Sequence, residues 1–239
     1  MSALGPVVVT DPRRAPIEKV DKLAEFGVAT VHEALGRVGL LGTALLPIQK
    51  GARIGGTAVT VVCWPGDNLM FHVAVEQCRP GDLLVVTTTS PSTDGMFGEL
   101  LATSLRSRGV RGLVTETGVR DVADLRHMGF PVWSAAVSAQ GTVKSTAGSV
   151  NVPIVVGGQL VRPGDAIVAD DDGVLCVPRA DVERGLTAAQ ARVDKEADAR
   201  TAFRSGDLGL DRYGLRPKLA DLGVRYLTTA EYEAESGPH

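Results

Sequence analysis

The sequence lacks the groups that would mark several large function classes. Aromatic residues make up only 4% of the 239 positions, so a core must be built from Val, Leu and Ala rather than from rings. Positive charge is not in excess: 25 Lys and Arg stand against 28 Asp and Glu, a formal net charge of −3. That balance argues against a nucleic-acid binder that works by neutralising phosphates. Cysteine is scarce, and the three present (Cys63, Cys78 and Cys176) have no CxxC spacing and sit among apolar neighbours. They read as reduced core residues of a cytoplasmic protein. No run approaches the roughly eighteen apolar residues of a membrane-spanning helix, and the opening MSALGPVVVTDPRR lacks the basic and apolar regions of a signal peptide. Neither export by that route nor a membrane partner is expected. Phosphate-loop, GxSxG, HExxH and GxGxxG patterns are all missing. His32, His72, His127 and His239 share no spacing that suits a metal, which argues against a zinc enzyme.

What is present is an ordinary folded chain, 44% hydrophobic and 22% charged, long enough for a sizeable core. Ile17, Val20, Leu23 and Ala24 recur at a helical period and Gly27 supplies a stop. Thr30 followed three residues later by Glu33 has capping-box spacing, which predicts a second helix start ahead of Ala34 and Leu35. Residues 59–63 read as a strand, and residues 64–68 as a turn whose Asn68 caps a helix through Met70, Val73, Ala74 and Gln77. The phrase Arg-Pro-Gly-Asp occurs at residues 79–82 and again at 162–165, each time feeding an apolar run, which predicts two similar places in one sheet. A polar stretch, TTTSPSTDG, precedes a helix through Leu100, Leu101 and Leu105 that Gly109 closes. Residues 112–115 read as the next strand, 116–119 as a loop, and Arg120-Asp121 as the opening of a short helix through Val122, Leu125 and Met128. Residues 131–178 are richer in strands, with Asp172-Gly173 as a hairpin signal, and one long charged helix is expected from Asp181 to about Arg204. Strands alternating with helices give an α/β fold, and no Ser-, Gly- or Pro-rich linker divides the chain.

The candidate chemistry lies at two consecutive strand-to-helix junctions. Glu99 opens the first helix, Arg120-Asp121 opens the second, and twenty residues separate Glu99 from Arg120. In an open α/β sheet the loops at the carboxyl ends of neighbouring strands face one crevice, so both acids could share a site. Two carboxylates with water suit Mg²⁺ or Mn²⁺, and the guanidinium could clamp a substrate carboxylate or stabilise an enolate oxygen. A purely structural account fits the same residues. Asp121 is placed to be a helix N-cap, Arg120 to pair with it or with Glu116, and Glu99 to be a first-turn acid. Two further features carry less weight: Asp170-Asp171-Asp172 lacks the spacing of a calcium loop, and Lys144 in GTVKST lacks the apolar pocket of a Schiff-base lysine. His72 lies on the helix after Asn68, where it is either a catalytic base or a buried, hydrogen-bonded histidine.

The string GELLATSLRSRGVRGLVTETGVRDVADLRHMGFPVW, with PGDNLMFHVAVEQCRPGDLLVV before it and PGDAIVADDDGVLCVP after it, resembles the regulator of ribonuclease E activity A-like superfamily. Within that group it is most similar to the class II pyruvate aldolases acting on 4-hydroxy-4-methyl-2-oxoglutarate and 4-carboxy-4-hydroxy-2-oxoadipate. The likeness runs from about Glu25 to Leu227 and includes the family's acid, twenty intervening residues and Arg-Asp. It implies a central sheet flanked by helices, of the swivelling β/β/α kind, in one domain over residues 1–180. Residues 181–239 would form a helical extension packing on a neighbouring subunit of a trimer or hexamer. By resemblance, Asp121 would be the one direct protein ligand of Mg²⁺ or Mn²⁺, Glu99 would hold water on the metal, and Arg120 would contact the carbonyl and leaving enolate of a 2-oxo acid. Gly98 and the backbone N–H groups of Leu100 and Leu101 would bind its carboxylate, a role that also fits the physics of a helix start. Glu196, in RVDKEADAR, matches the aldolases' acid that reaches a neighbour's site, and GDLGLDRYGLRPKLADLGVRYL looks like their tail. Some relatives supply only the fold and the Arg-Asp pair, so the alternative is a non-catalytic regulator of a ribonuclease.

Overall fold

The structure is a computed structural model that describes residues 5–237. Residues 1–4 of the opening segment and His239, both weighed above, lie outside the described residues. In chain order the elements begin with α1 (Ile17–Phe26), α2 (Val28–Ala34), β1 (Leu46–Pro47), β2 (Ile54–Cys63), α3 (Leu69–Gln77), β3 (Asp82–Thr88) and β4 (Gly95–Phe97). They continue with α4 (Glu99–Ser107), β5 (Leu113–Val119), α5 (Val122–His127), β6 (Val132–Val137), β7 (Ser149–Val150), β8 (Ile154–Val156) and β9 (Gln159–Val161). The last are β10 (Ala166–Asp170), β11 (Gly173–Val177), α6 (Val182–Arg204), α7 (Gly209–Arg212), α8 (Arg216–Asp221) and α9 (Thr229–Ser236). The chain divides into two compact units, Met1–Val193 and Asp194–His239, and the division falls inside α6.

In the first unit a nearly closed, barrel-like mixed sheet runs in the order β1-β6-β5-β3-β2-β10-β11, with β4 added on β5 and β7 on β2. β2, β3, β5 and β6 are mutually parallel, and β10 joins β2 antiparallel. The Leu-Leu-Val-Val run of β3 is buried throughout, as a parallel strand covered on both faces must be. One apolar cluster joins Val59, Leu84 and Leu113 to Phe71 of α3, Leu105 of α4 and Leu125 of α5. A second gathers Leu41, Val85, Val114, Trp133 and Ile167, and a third packs α1, α2 and the start of α6 on β10 and β11. The repeated Arg-Pro-Gly-Asp phrases fall on the two strands that flank β2. Asp82 accepts the Arg79 N–H at 2.7 Å, Asp165 accepts the Arg162 N–H at 3.0 Å, and both following strands register against Thr57. The three cysteines are buried and free, and burial pushes the Cys63 and Cys78 thiols up to about 12. Among the described residues no helix is long and apolar enough to cross a membrane.

Four local expectations need correction. Thr30 caps nothing, because α2 already starts at Val28. Gly27, at φ +81°, turns the chain directly from α1 into α2, and the Asp170 carboxylate, distant in sequence, accepts the Val28 N–H at 2.9 Å. Asn68 occupies the N-cap position of α3 without bonding that helix: Asp67 accepts the Leu69 N–H, and the Asn68 amide donates to the Met96 carbonyl. Residues 116–119 are strand rather than loop, since β5 continues to Val119 between β4 and β6. Pairing on both sides overrides the turn-like Thr-Glu-Thr-Gly composition. The hairpin turn centres on Asp171 and Asp172, because Asp170 and Gly173 still pair across the ladder.

The position of the α2 cap yields a direct test. Asp170→Ala should lower the unfolding free energy by about 1–3 kcal/mol, the range for losing a cap whose donor is then left buried. Thr30→Ala should stay within about 0.5 kcal/mol, as substitutions away from such features do. Equal losses in urea denaturation would return the cap to Thr30.

Candidate functional site

β4 and β5 lie side by side and parallel, so the helices that follow them, α4 and α5, begin next to each other. The Arg120 N–H donates to the Phe97 carbonyl at 2.8 Å, which ties the two junctions together. Asp121 then adopts the left-handed conformation (φ 55°, ψ 37°), which is costly for a residue other than glycine and more accessible to Asp than to most. The consequence is specific. Asp121 sits at the N-cap position of α5 but makes no side-chain cap bond there; its carboxylate instead accepts the Glu99 N–H at the start of α4, at 3.1 Å. Arg120 Nε lies 3.7 Å from the same carboxylate oxygen, and both side chains keep substantial exposure, 47% and 39%. A Cβ at Gly98 would overlap that oxygen, so the absence of a side chain there makes the approach possible.

Glu99 accepts a hydrogen bond from the Thr103 hydroxyl at 2.7 Å, one turn along its own helix. The Gly98 carbonyl is taken by the Ala102 N–H, the first bond of α4. The N–H groups of Leu100 and Leu101 therefore have no acceptor inside the helix, as at any helix start. Leu100 is 79% exposed, so this end of α4 is open. Glu116, the other acid considered as a partner for Arg120, is used elsewhere: it accepts the Thr87 hydroxyl at 2.5 Å and the Gly157 N–H at 2.9 Å. The Asp170-Asp171-Asp172 run is structural. Asp170 holds Val28 and Asp172, and Asp171 holds the Gly51 N–H.

A segment that the sequence did not connect with the site borders it. The Ser138 N–H donates to Val119, the Gly95 N–H donates to Gln140, and a Cβ on Gly141 would stand 3.8 Å from the Arg120 guanidinium. Asp67 anchors the far end of that segment by accepting the N–H groups of Ser145 and Thr146 at 2.8 and 2.7 Å. Burial pushes the Asp67 carboxyl up, but the backbone donors of Leu69, Ser145 and Thr146 together hold it below the usual carboxylate range. The same anchoring brings the Lys144 charge to bear on His72 of α3. His72 is exposed rather than buried, and partial desolvation first, with Lys144 second, holds its imidazole below its ordinary value. No local spacing rule links residue 72 to residue 144; the electrostatic influence follows from the fold.

Asp121 and Glu99 are hard oxygen donors, and among the described residues no group of three or more His, Cys, Asp or Glu side chains is placed to hold a metal ion. One carboxylate held in a fixed orientation over a side-chain-free Gly98, with much of its surface exposed, fits a divalent ion that keeps most of its water, as Mg²⁺ does. It does not fit a closed all-protein cage. Glu196 lies in α6 beyond Val193, in the second unit.

Comparison with known proteins places this junction in a family. A family model described as RraA-like, Aldolase/RraA, matches residues 28–176. The chain belongs to that family. The matched span contains Gly98, Glu99, Arg120 and Asp121 and ends before Glu196. The chain is 29% identical over 188 residues to a protein of Halalkalibacterium halodurans named as a candidate 4-hydroxy-4-methyl-2-oxoglutarate aldolase, covering 78% of this chain and 90% of that protein. A protein of the same name from Burkholderia multivorans is 35% identical over 155 residues, covering 64% and 94%. Among solved structures, Streptomyces coelicolor RraAS2, described as an unusual member of the RNase ES inhibitor RraA family, superposes with a TM-score of 0.72 at 28% identity, covering 80% of this chain and 99% of that one. The RraA-like family thus carries both aldolase and inhibitor names.

The His72 environment can be measured without any assay of function. By NMR, His72 should titrate below 6.5, and Lys144→Ala should move it only part of the way back, since desolvation is the larger cause. The unfolded chain takes up this proton near 6.5 and the folded chain only at lower pH, so acidification through that window should destabilise the fold. Titration at or above 6.5 would contradict the packing described.

Proposed function

We propose that this chain is a divalent-metal-dependent retro-aldol lyase that cleaves 4-carboxy-4-hydroxy-2-oxoadipate to pyruvate and oxaloacetate, and 4-hydroxy-4-methyl-2-oxoglutarate to two molecules of pyruvate. The observation that carries the reading is the turn of the Asp121 carboxylate away from its own helix and onto the Glu99 N–H, beside Arg120. Aldolase names among the relatives support it. Mg²⁺ or Mn²⁺ held by Asp121 would supply Lewis-acid polarisation of the 2-oxo carbonyl.

The chain's own groups account for the remaining steps. The N–H groups of Leu100 and Leu101, beside Gly98, receive the substrate carboxylate at the start of α4, where the helix dipole favours negative charge. The C4 hydroxyl gives up its proton, C4–O becomes the carbonyl of one product, and the C3–C4 bonding pair moves into the pyruvate half, leaving charge on its 2-oxo oxygen. Arg120 stabilises that oxygen with a planar, permanently charged fork. C3 then takes up a proton through water held by Glu99, whose carboxylate is oriented by Thr103. The proton of the C4 hydroxyl would go either to His72 or to water activated by the metal. Since oxaloacetate decarboxylation passes through the same enolate, an oxaloacetate decarboxylase side activity is expected. In this proposal Glu196 completes the site of a neighbouring subunit in a trimer or a dimer of trimers.

The name borne by RraAS2 favours a second reading, a non-catalytic regulator that binds a ribonuclease. Pyruvate release separates the two. The lyase should form pyruvate from both substrates, lose that activity on thorough chelation and regain it with Mg²⁺ or Mn²⁺. Arg120→Ala should lower kcat by roughly 10² to 10³, the scale for losing one preorganised donor, and Arg120→Lys should rescue little. Full activity after chelation would overturn the metal assignment. A complete failure to release pyruvate would favour the regulator.

A further inference from the structure

A cavity of about 690 Å³ lies at the carboxyl ends of β2 and β3, apart from Glu99, Arg120 and Asp121. Its walls include Pro6, Val7, Val62, Trp64 and Ile154, and among the described residues no ionisable side chain lines it. Its size is that of a small-molecule site, and the ends of parallel strands are where ligands collect in α/β sheets. The walls are tied down. The N-terminal segment crosses the cavity as a strap: Val7 donates to the Ser149 hydroxyl, its carbonyl accepts the Val150 N–H, and Val9 bonds Val150 and Asn151. Trp64 donates its indole N–H to the Ala147 carbonyl at 3.1 Å, which fixes the ring as part of the wall. The Thr87 hydroxyl is committed to Glu116, whereas the Thr88 and Thr89 hydroxyls make no bond to the described residues and remain for an occupant.

We infer that this cavity is a second ligand site, built for a neutral, mostly apolar molecule of ring-system size carrying one or two hydrogen-bonding groups. Charge decides the class. An ion placed there would meet no opposite charge in the walls, whereas a neutral ring system gains the apolar walls and the Trp64 face. The lining thus offers no charge to pair the multiply charged 2-oxo acids of the proposed reaction, and it does not include Glu99, Arg120 or Asp121. The inference does not rest on the lyase reading.

The test titrates the full-length protein with N-phenyl-1-naphthylamine, a neutral fluorescent ring compound with one N–H. Saturable binding is expected at one site per chain, with quenching of Trp64. Thr88→Phe, which fills the cavity, should weaken binding by about tenfold or more, since a buried ring displaces several methylenes' worth of contact. Arg120→Ala should bind the probe as the unaltered protein does, which separates this site from the proposed reaction site. Thermal unfolding checks that each variant is folded, and Val9→Phe on the strap repeats the comparison if Thr88→Phe is not. Absence of saturable binding, as when a second copy of the chain covers this face, would overturn the inference. Binding that the filling variants leave unchanged would do the same.

Discussion

The candidate site depends on one hydrogen bond, from the backbone N–H of Glu99 to the carboxylate of Asp121. A helix start normally finds its cap in the residue just before it, but α4 is preceded by Gly98, which has no side chain to offer. The donor is therefore met from the adjoining junction. This requires β4 and β5 to end in register, Arg120 to be pinned to Phe97, and Asp121 to accept a left-handed backbone. Only the left-handed turn at Asp121 carries a local cost, and together these features put an acid, a guanidinium and an open helix start in one place.

How much of this was legible in the sequence differs from residue to residue. α1 and the strand after each Arg-Pro-Gly-Asp phrase could be read because their signals are local: a helical period closed by Gly27, and an aspartate that bonds the N–H three residues back. The pairing of Glu99 with Arg120-Asp121 was legible as spacing, since consecutive strand-to-helix junctions in a parallel sheet must lie side by side. The errors share another cause. Thr30 and Asn68 have the right composition for caps, but the α2 donor goes to Asp170, far away in sequence, and the Asn68 amide is drawn to the distant Met96 carbonyl, which leaves the Leu69 N–H to the adjacent Asp67. Residues 116–119 look like a turn and become strand only because β4 and β6 supply partners on both sides. The influence of Lys144 on His72 was invisible for the same reason.

The first unit keeps charge and apolar surface in different places. Arg120, Asp121 and Glu99 gather at the starts of α4 and α5, while the ends of β2 and β3 open on a cavity without an ionisable wall. A fold that offers two chemically distinct recesses can carry more than one binding role, and the RraA-like family bears both aldolase and inhibitor names. Function in such a family has to be argued from the site, because the fold is common to all members.

The central claim is that the Asp121 carboxylate and the bare Gly98 act as one unit, and a double-mutant cycle on pyruvate formation tests it most directly. Gly98→Ala would push the carboxylate off the Glu99 N–H, and Asp121→Asn would remove its charge in place. If the two residues serve one arrangement, the double variant should have a kcat/KM no lower than that of the worse single variant. Losses that multiply, as for independent sites, would contradict the account.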